Sequence, residues 1–189
     1  MSMNDITIII TSFKSGEKIN NCLNSINNQC KVLLIENSND IEFKKKIEKK
    51  FTNVECFLTG ENLGYGKANN IGLKKTTTKY ALILNPDAYL EKNTIENFFQ
   101  SASEIPNFAI MAPYIQEEKN NNTQDIHANT KPKEVINVKG FAMFLNMIQF
   151  KDIGFFDENF FIYFEEIDLC RRLTQNKKKI FLDSNIKIY

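Results

Sequence analysis

Ile6, Thr7, Ile8, Ile9 and Ile10 open the regular patterning of the chain. A run of that length without alternation suits a strand buried on both faces, and it predicts β structure broken by the polar stretch over 11–16. Ile19, Cys22, Leu23 and Ile26 then fall at i, i+3, i+4 and i+7, the apolar stripe of a helix predicted over 17–29. Val32, Leu33, Leu34 and Ile35 form a second buried run, stopped by the turn formers Glu36, Asn37, Ser38, Asn39 and Asp40. A helix with Ile47 and Phe51 turned inward leads to a weaker strand, Val54–Leu58, and to a loop over 59–66. A third helix is predicted to start near Lys67. Tyr80–Leu84 reads as the next strand, ended by Asn85, Pro86 and Asp87, and Ile95, Phe98, Phe99, Ala102 and Ile105 mark the helix after it.

Strands alternating with amphipathic helices predict an α/β fold: a mostly parallel open sheet, helices on both faces, right-handed crossovers. Ligands of such sheets bind at the carboxyl ends of the strands. The loops carrying Thr11 and Ser12, Glu36 and Asn37, Asn62 and Gly64, and Asn85 and Asp87 all leave that edge, so these groups are expected to converge. Phe108–Pro113 predicts a further strand. The segment 116–133 is polar, rich in asparagine and aperiodic, which predicts a flexible surface loop, and its one histidine, His127, receives no role. After Gly140 come an apolar run, Phe141, Ala142, Met143, Phe144 and Leu145, an aromatic cluster over 155–164, and the acidic group Glu165, Glu166 and Asp168. No internal repeat or second domain is visible, and 1–189 reads as one domain.

Charge narrows the partners. Lys and Arg number 24 against 23 Asp and Glu in 189 residues, so the broad basic face that nucleic acid needs is not expected. Cys22, Cys30, Cys56 and Cys170 form no CxxC pair and have no histidine at ligand spacing, which suits a reducing compartment. The amino terminus shows no export signal, and no apolar run approaches the ~20 residues of a membrane span. A cytoplasmic location is expected, with peripheral contact as the form of membrane contact left open.

Several groups carry candidate chemistry, each beside a plainer alternative. Asp87 follows a buried strand directly, where a hard divalent cation could bridge it to a diphosphate; a proline turn capped by the carboxylate explains it equally simply. The stretch Asn62, Leu63, Gly64, Tyr65, Gly66, Lys67, Ala68, Asn69, Asn70, Ile71, Gly72 places small residues before a helix whose amino end favours anions. It departs from GxGxxG because Asn69 stands at the third glycine, and it is no P-loop; Gly64 and Gly66 also suit a simple turn. Glu36 can accept hydrogen bonds from a base or ribose, or cap its own turn. Among Glu165, Glu166 and Asp168, a carboxylate against apolar walls has the raised pKa of a general base. The same acids suit a helix amino terminus, with Asp168 paired to Arg171 or Arg172. Phe155, Phe156, Phe160, Phe161 and Phe164 are expected in the core rather than in a lipid-contacting patch.

In order and wording, four stretches resemble glycosyltransferase family 2, the inverting enzymes of the GT-A fold, and in particular its rhamnosyltransferase-like branch. They are Ile8 through Phe13, Asn62 through Gly72, Leu84 through Ala88, and Phe156 through Leu173. The resemblance implies transfer of a sugar from a nucleoside-diphosphate sugar, dTDP-rhamnose among them, to a glycan or lipid-linked saccharide at the cytosolic face of a membrane. It implies that Thr11 and Glu36 contact the nucleoside, that Asp87 holds Mg²⁺ or Mn²⁺ on the diphosphate, and that Gly140 borders the acceptor. Ser12, Asn62, Gly64, Asn69 and Asn85 complete the expected nucleotide-sugar-binding set. Glu166 maps onto the base, ahead of Glu165 and Asp168, although relatives often carry aspartate there. The chain ends at Tyr189, close to where relatives place a metal-binding histidine. That end is expected to mark a fragment or a compact protein of impaired activity, and it keeps a catalytically silent nucleotide-sugar- or glycan-binding module as the alternative. A nucleotidyltransferase ranks last, since 11–16 supplies only Lys14 and Gly16 of the glycine-rich basic loop such enzymes need.

Overall fold

The computed structural model describes residues 1–114 and 131–189. Among them one sheet is built from β1 (Ile6–Ser12), β2 (Lys31–Glu36), β3 (Val54–Leu58), β4 (Tyr80–Leu84), β5 (Phe108–Pro113), β6 (Lys133–Val135), β7 (Ala142–Asn146) and β8 (Lys179–Asp183). The helices are α1 (Lys18–Ser25), α2 (Ile41–Lys50), α3 (Tyr65–Lys75), α4 (Thr94–Glu104) and α5 (Glu165–Gln175). The strand order is β3-β2-β1-β4-β7-β5-β8-β6. β1 runs parallel to β2 and β4, and β2 to β3, whereas β7 lies antiparallel between β4 and β5. β8 is parallel to β5, and β6 closes that edge antiparallel.

Strand periodicity divides the core into two layers. Ile6, Ile8 and Ile10 of β1 pack with Ile19 and Leu23 of α1, Ile47 of α2 and Phe98 of α4. Ile9 faces the other way, with Ala68 and Leu73 of α3 and Leu169 and Leu173 of α5. Helices thus cover both faces, as the alternating pattern predicts. Aromatic rings knit the centre, with Phe144 of β7 at 4.7 Å from Phe98 and 4.9 Å from Tyr80 between centroids. α3 sits close on β1: a Cβ added to Gly72 would lie 2.5 Å from Ile9 Cγ2.

Several boundaries differ from expectation for local reasons. α1 ends at Ser25 because Ile26 turns extended, at φ −88° and ψ 133°, ahead of the turn-forming asparagines 27 and 28. α3 begins at Tyr65, two residues before the expected Lys67, with Gly64 as its cap. β6, β7 and β8 are additional to the predicted strands. The expected loop at 116–133 and His127 lie outside the described residues, apart from 131–133, where Lys133 opens β6. The aromatic cluster is also not uniformly core. Phe156 is buried, but Phe161 and Phe164 are 56% and 64% exposed, because both lie on the loop that crosses above α3 instead of on an element that packs into it.

Candidate active site

Parallel β1 to β4 bring their carboxyl ends to one rim. Ser12 and Glu36 are register partners there. Ser12 Oγ donates to Glu36 Oε2, and Ser38 Oγ donates to Glu36 Oε1 at 2.6 Å. Glu36 is almost fully buried, so this carboxylate is held rigidly, with its remaining lone pairs for any nucleoside contact. Thr11 Oγ1 is buried without a hydrogen-bond partner among the described residues, and an orphaned hydroxyl at a strand's end suits a ligand atom that would complete it.

Asn37 ties this corner to the glycine-rich loop. Its Nδ2 donates to Asn62 Oδ1 at 2.9 Å and to the Gly64 carbonyl at 3.1 Å, while its Oδ1 accepts from Leu63 N at 2.9 Å. Asn62 Oδ1 also accepts from Gly64 N. Asn37 was expected at this rim, but its role as a hub was not, since an asparagine after a strand reads as a turn former. Asn69, expected to touch the sugar nucleotide, is fully buried inside α3, where its Nδ2 donates to the Tyr65 carbonyl and its Oδ1 finds no partner.

The antiparallel β7 brings Gly140 and Phe141 to the same rim. Asn85 N donates to the Phe141 carbonyl at 2.8 Å, and Tyr65 Oη donates to the Gly140 carbonyl at 2.7 Å. A Cβ on Gly140 would stand 3.6 Å from Cβ and Cγ of Glu166, ordinary van der Waals contact, so the glycine lies directly beside that side chain. The loop before α5 is clamped onto α3. Asn70 accepts from Phe156 N at 3.1 Å and donates to the Phe156 carbonyl at 2.9 Å and to Glu158 Oε1 at 3.0 Å. Tyr65 N donates to the Phe161 carbonyl at 2.9 Å.

The three acids of α5 have separate circumstances. Glu165 is buried with Oε2 unpartnered among the described residues, and burial, helped by the neighbouring Glu166 charge, pushes its carboxyl above the ordinary range. Asp168 is taken by Arg172, whose Nε stands 2.7 Å from Oδ2, and Arg172 also donates to the Ile153 and Phe155 carbonyls. Glu166, partly exposed, makes no hydrogen bond or ion pair among the described residues. Helical phase carries this division: Glu165, Leu169 and Leu173 share the i, i+4, i+8 stripe that faces the core. Tyr65 lies against the pair; burial, first of all, and then the two glutamates hold its phenol well above the usual value.

Asp87 occupies the turn after β4, exposed and without hydrogen bond or ion pair among the described residues. Its charge reaches the thiol of Cys22, which burial first and then Asp87 push up to about 12. Tyr89, two residues on, exchanges backbone hydrogen bonds with Tyr189. Among the described residues no three His, Cys, Asp or Glu gather to cage a metal. A single free carboxylate fits a hard cation that takes most of its oxygens from substrate phosphates and water, as Mg²⁺ does; it does not fit a protein-only metal centre.

A sheet reversed only at β7 and at its edge β6, with polar loops gathered at one rim, is the GT-A fold. Residues 7–172 match the profile of Glycosyl transferase family 2, and the chain belongs to that family. It is 26% identical over 205 residues to the low-salt glycan biosynthesis hexosyltransferase Agl10 of Haloferax volcanii, covering 94% of this chain and 64% of that protein. Among solved structures it resembles S. aureus TarS 1–349 in complex with UDP-GlcNAc, at a TM-score of 0.77 and 18% identity, covering 98% of this chain and 57% of that one. It also resembles GalNAc-T7 with UDP, GalNAc and Mn²⁺, at a TM-score of 0.81 and 13% identity, covering 97% and 43%. The chain thus spans less than two thirds of each of these proteins.

Proposed function

We propose that this chain transfers a sugar from a nucleoside diphosphate to a hydroxyl of a glycan or lipid-linked saccharide, with inversion at the anomeric carbon, in the cytoplasm or at the cytosolic face of a membrane. The observation that carries the proposal is the unpartnered Glu166 beside Gly140, on the rim that also holds the Ser12–Glu36 corner and Asp87. Glu166 takes the proton of the acceptor hydroxyl as its oxygen bonds to the anomeric carbon. The bond to the diphosphate breaks on the opposite side, which inverts the centre. Gly140 leaves room for the acceptor, and the buried Glu165 retains its proton more readily than an ordinary carboxyl, which limits repulsion beside the base. Thr11, Ser12 and Glu36 hold the nucleoside, and Asn62, Gly64 and Asn85 line its approach. Asp87 would hold Mg²⁺ or Mn²⁺, which supplies neutralisation of the departing diphosphate.

The resemblance to rhamnosyltransferases nominates dTDP-rhamnose as the first donor to test, and the TarS complex nominates UDP-GlcNAc as the second. The assay is release of nucleoside diphosphate with Mn²⁺ present, alongside calorimetric donor binding. Glu166→Gln is expected to lower turnover by about 10²–10⁴-fold while donor binding persists, and Asp87→Ala to lose the response to Mn²⁺. Wild-type turnover in both variants would overturn the reading. Tight donor binding by the wild-type chain with no transfer to any acceptor would select the silent binding module.

A further inference from the structure

We propose that the tip of the loop over 161–164, with Ile167 behind it, inserts into the surface of a lipid bilayer and so holds the acceptor-facing rim against a membrane. Phe161, Ile162, Tyr163, Phe164 and Ile167 are 56%, 53%, 70%, 64% and 45% exposed. Four successive large side chains, each more than half exposed, make a convex tip. A sugar ring stacks on one flat face, and a second protein copy needs about 800 Å² per partner, more than one short loop supplies. Splayed apolar groups around a tyrosine instead suit the boundary between headgroups and acyl chains.

The backbone keeps these groups outward. Tyr163 and Phe164 hold φ of 69° and 71°, a region disfavoured for side-chain-bearing residues, aromatic ones included. The loop is fixed on both sides, by Tyr65 N on the Phe161 carbonyl and by Asp168 N on the Phe164 carbonyl. Neighbouring carboxylates are mostly engaged: Asp157 accepts from Asn159, Glu158 pairs with Lys74, and Asp168 with Arg172. Among the described residues only Glu166 stands open beside the tip, so the apolar surface can leave water without stranding a row of charges. Among the described residues no helix is long and apolar enough to cross a membrane, so the insertion proposed is peripheral.

The chain contains no tryptophan, so Ile162→Trp gives a single fluorophore at the tip. Titration with phosphatidylcholine vesicles, alone and with phosphatidylglycerol, is expected to blue-shift its emission, and brominated acyl chains are expected to quench it. Cosedimentation of the wild-type chain is expected to persist at about 1 M salt, where the Debye length is ~3 Å. Ile162→Ser with Tyr163→Asn, the asparagine suiting the left-handed backbone, is expected to weaken partitioning at least about tenfold. Ile136→Ser, at an exposed residue next to β6, is expected to leave it unchanged. An emission maximum unmoved by vesicles, binding lost at high salt, or equal partitioning of the double variant would each overturn the proposal. Vesicle binding without sugar transfer would keep this inference and defeat the transferase reading, and transfer without vesicle binding would do the reverse.

Discussion

Replacing Gly64 with alanine tests the clamp between the glycine-rich loop and the loop over 161–164. Gly64 caps α3 at φ 82° and ψ 178°, a region essentially confined to glycine, where another residue costs about 1–3 kcal/mol. The added methyl would lie 2.1 Å from the Phe161 carbonyl oxygen and 3.0 Å from Phe161 Cα. Those are backbone atoms, so no side-chain rotation relieves the contact. The loop must retreat by more than an ångström, which breaks the 2.9 Å bond from Tyr65 N to the Phe161 carbonyl and costs about another 1 kcal/mol. The sum is about 2–4 kcal/mol. At roughly 2–4 °C per kcal/mol for a chain of this size, the melting temperature falls by about 4–16 °C. Gly60→Ala isolates the conformational part, because Gly60 also has a positive φ, +86°, yet its added Cβ meets nothing within 4 Å. Calorimetric melts of both variants give the contribution of the close approach by difference. If Gly64→Ala melts within about 2 °C of Gly60→Ala, the loop is not clamped as described.

Two further perturbations address the acid pair and its wall. Burial raises the Glu165 carboxyl above its ordinary 4.5, so the folded chain binds that proton more tightly than the unfolded chain. The stability it contributes is full below about pH 4 and is lost as pH rises through the raised folded value. Glu165→Gln cannot ionise and is therefore expected to melt above the wild type at pH 8, with the gap closing towards pH 4. Melts at both pH values check this, and a gap independent of pH would refute it. Tyr65→Phe removes the bond to the Gly140 carbonyl and is expected to cost about 1 kcal/mol. Its turnover is expected to fall with the melting temperature, since Gly140 forms the wall against Glu166; an unchanged melting temperature would show the bond to be idle.

How much of this was legible in the chain follows from the physics of each element. β1, β4 and β5 are continuous apolar runs buried on both faces, and such runs declare themselves. β8 begins among lysines 177–179, and β6 has three residues, two of them exposed, so neither offers a pattern above the noise of a polar loop. β7 is apolar up to its last residue, Asn146, but nothing in an apolar run specifies its direction or its neighbours. The gathering of Thr11, Glu36, Asn62 and Asn85 at one edge was readable because parallel strands permit it alone. The bonding roles of Asn37 and Asn70 were not, since they depend on which distant groups come within about 3 Å. The hydrophobic meaning of Phe161 and Phe164 was misjudged for a related reason: composition says that a ring avoids water, and only the loop's clamps say that these two rings do not reach the core.

On the proposed reading, the reversal of β7 also lets one rim serve two substrates. A parallel strand delivers its carboxyl end to the edge where β1 to β4 place their polar groups, whereas an antiparallel strand delivers its amino end. Leu84 is paired with Ala142, so the two residues that enter β7, Gly140 and Phe141, stand beside the residues that leave β4, Asn85 and Asp87. Were β7 parallel in the same slot, its five residues would carry Gly140 about 17 Å towards the opposite edge. Glu166 would then lose the wall against which it stands. An inverting displacement needs its two participants on opposite sides of one carbon, a few ångströms apart. A single reversed strand supplies that proximity without any long excursion of the chain.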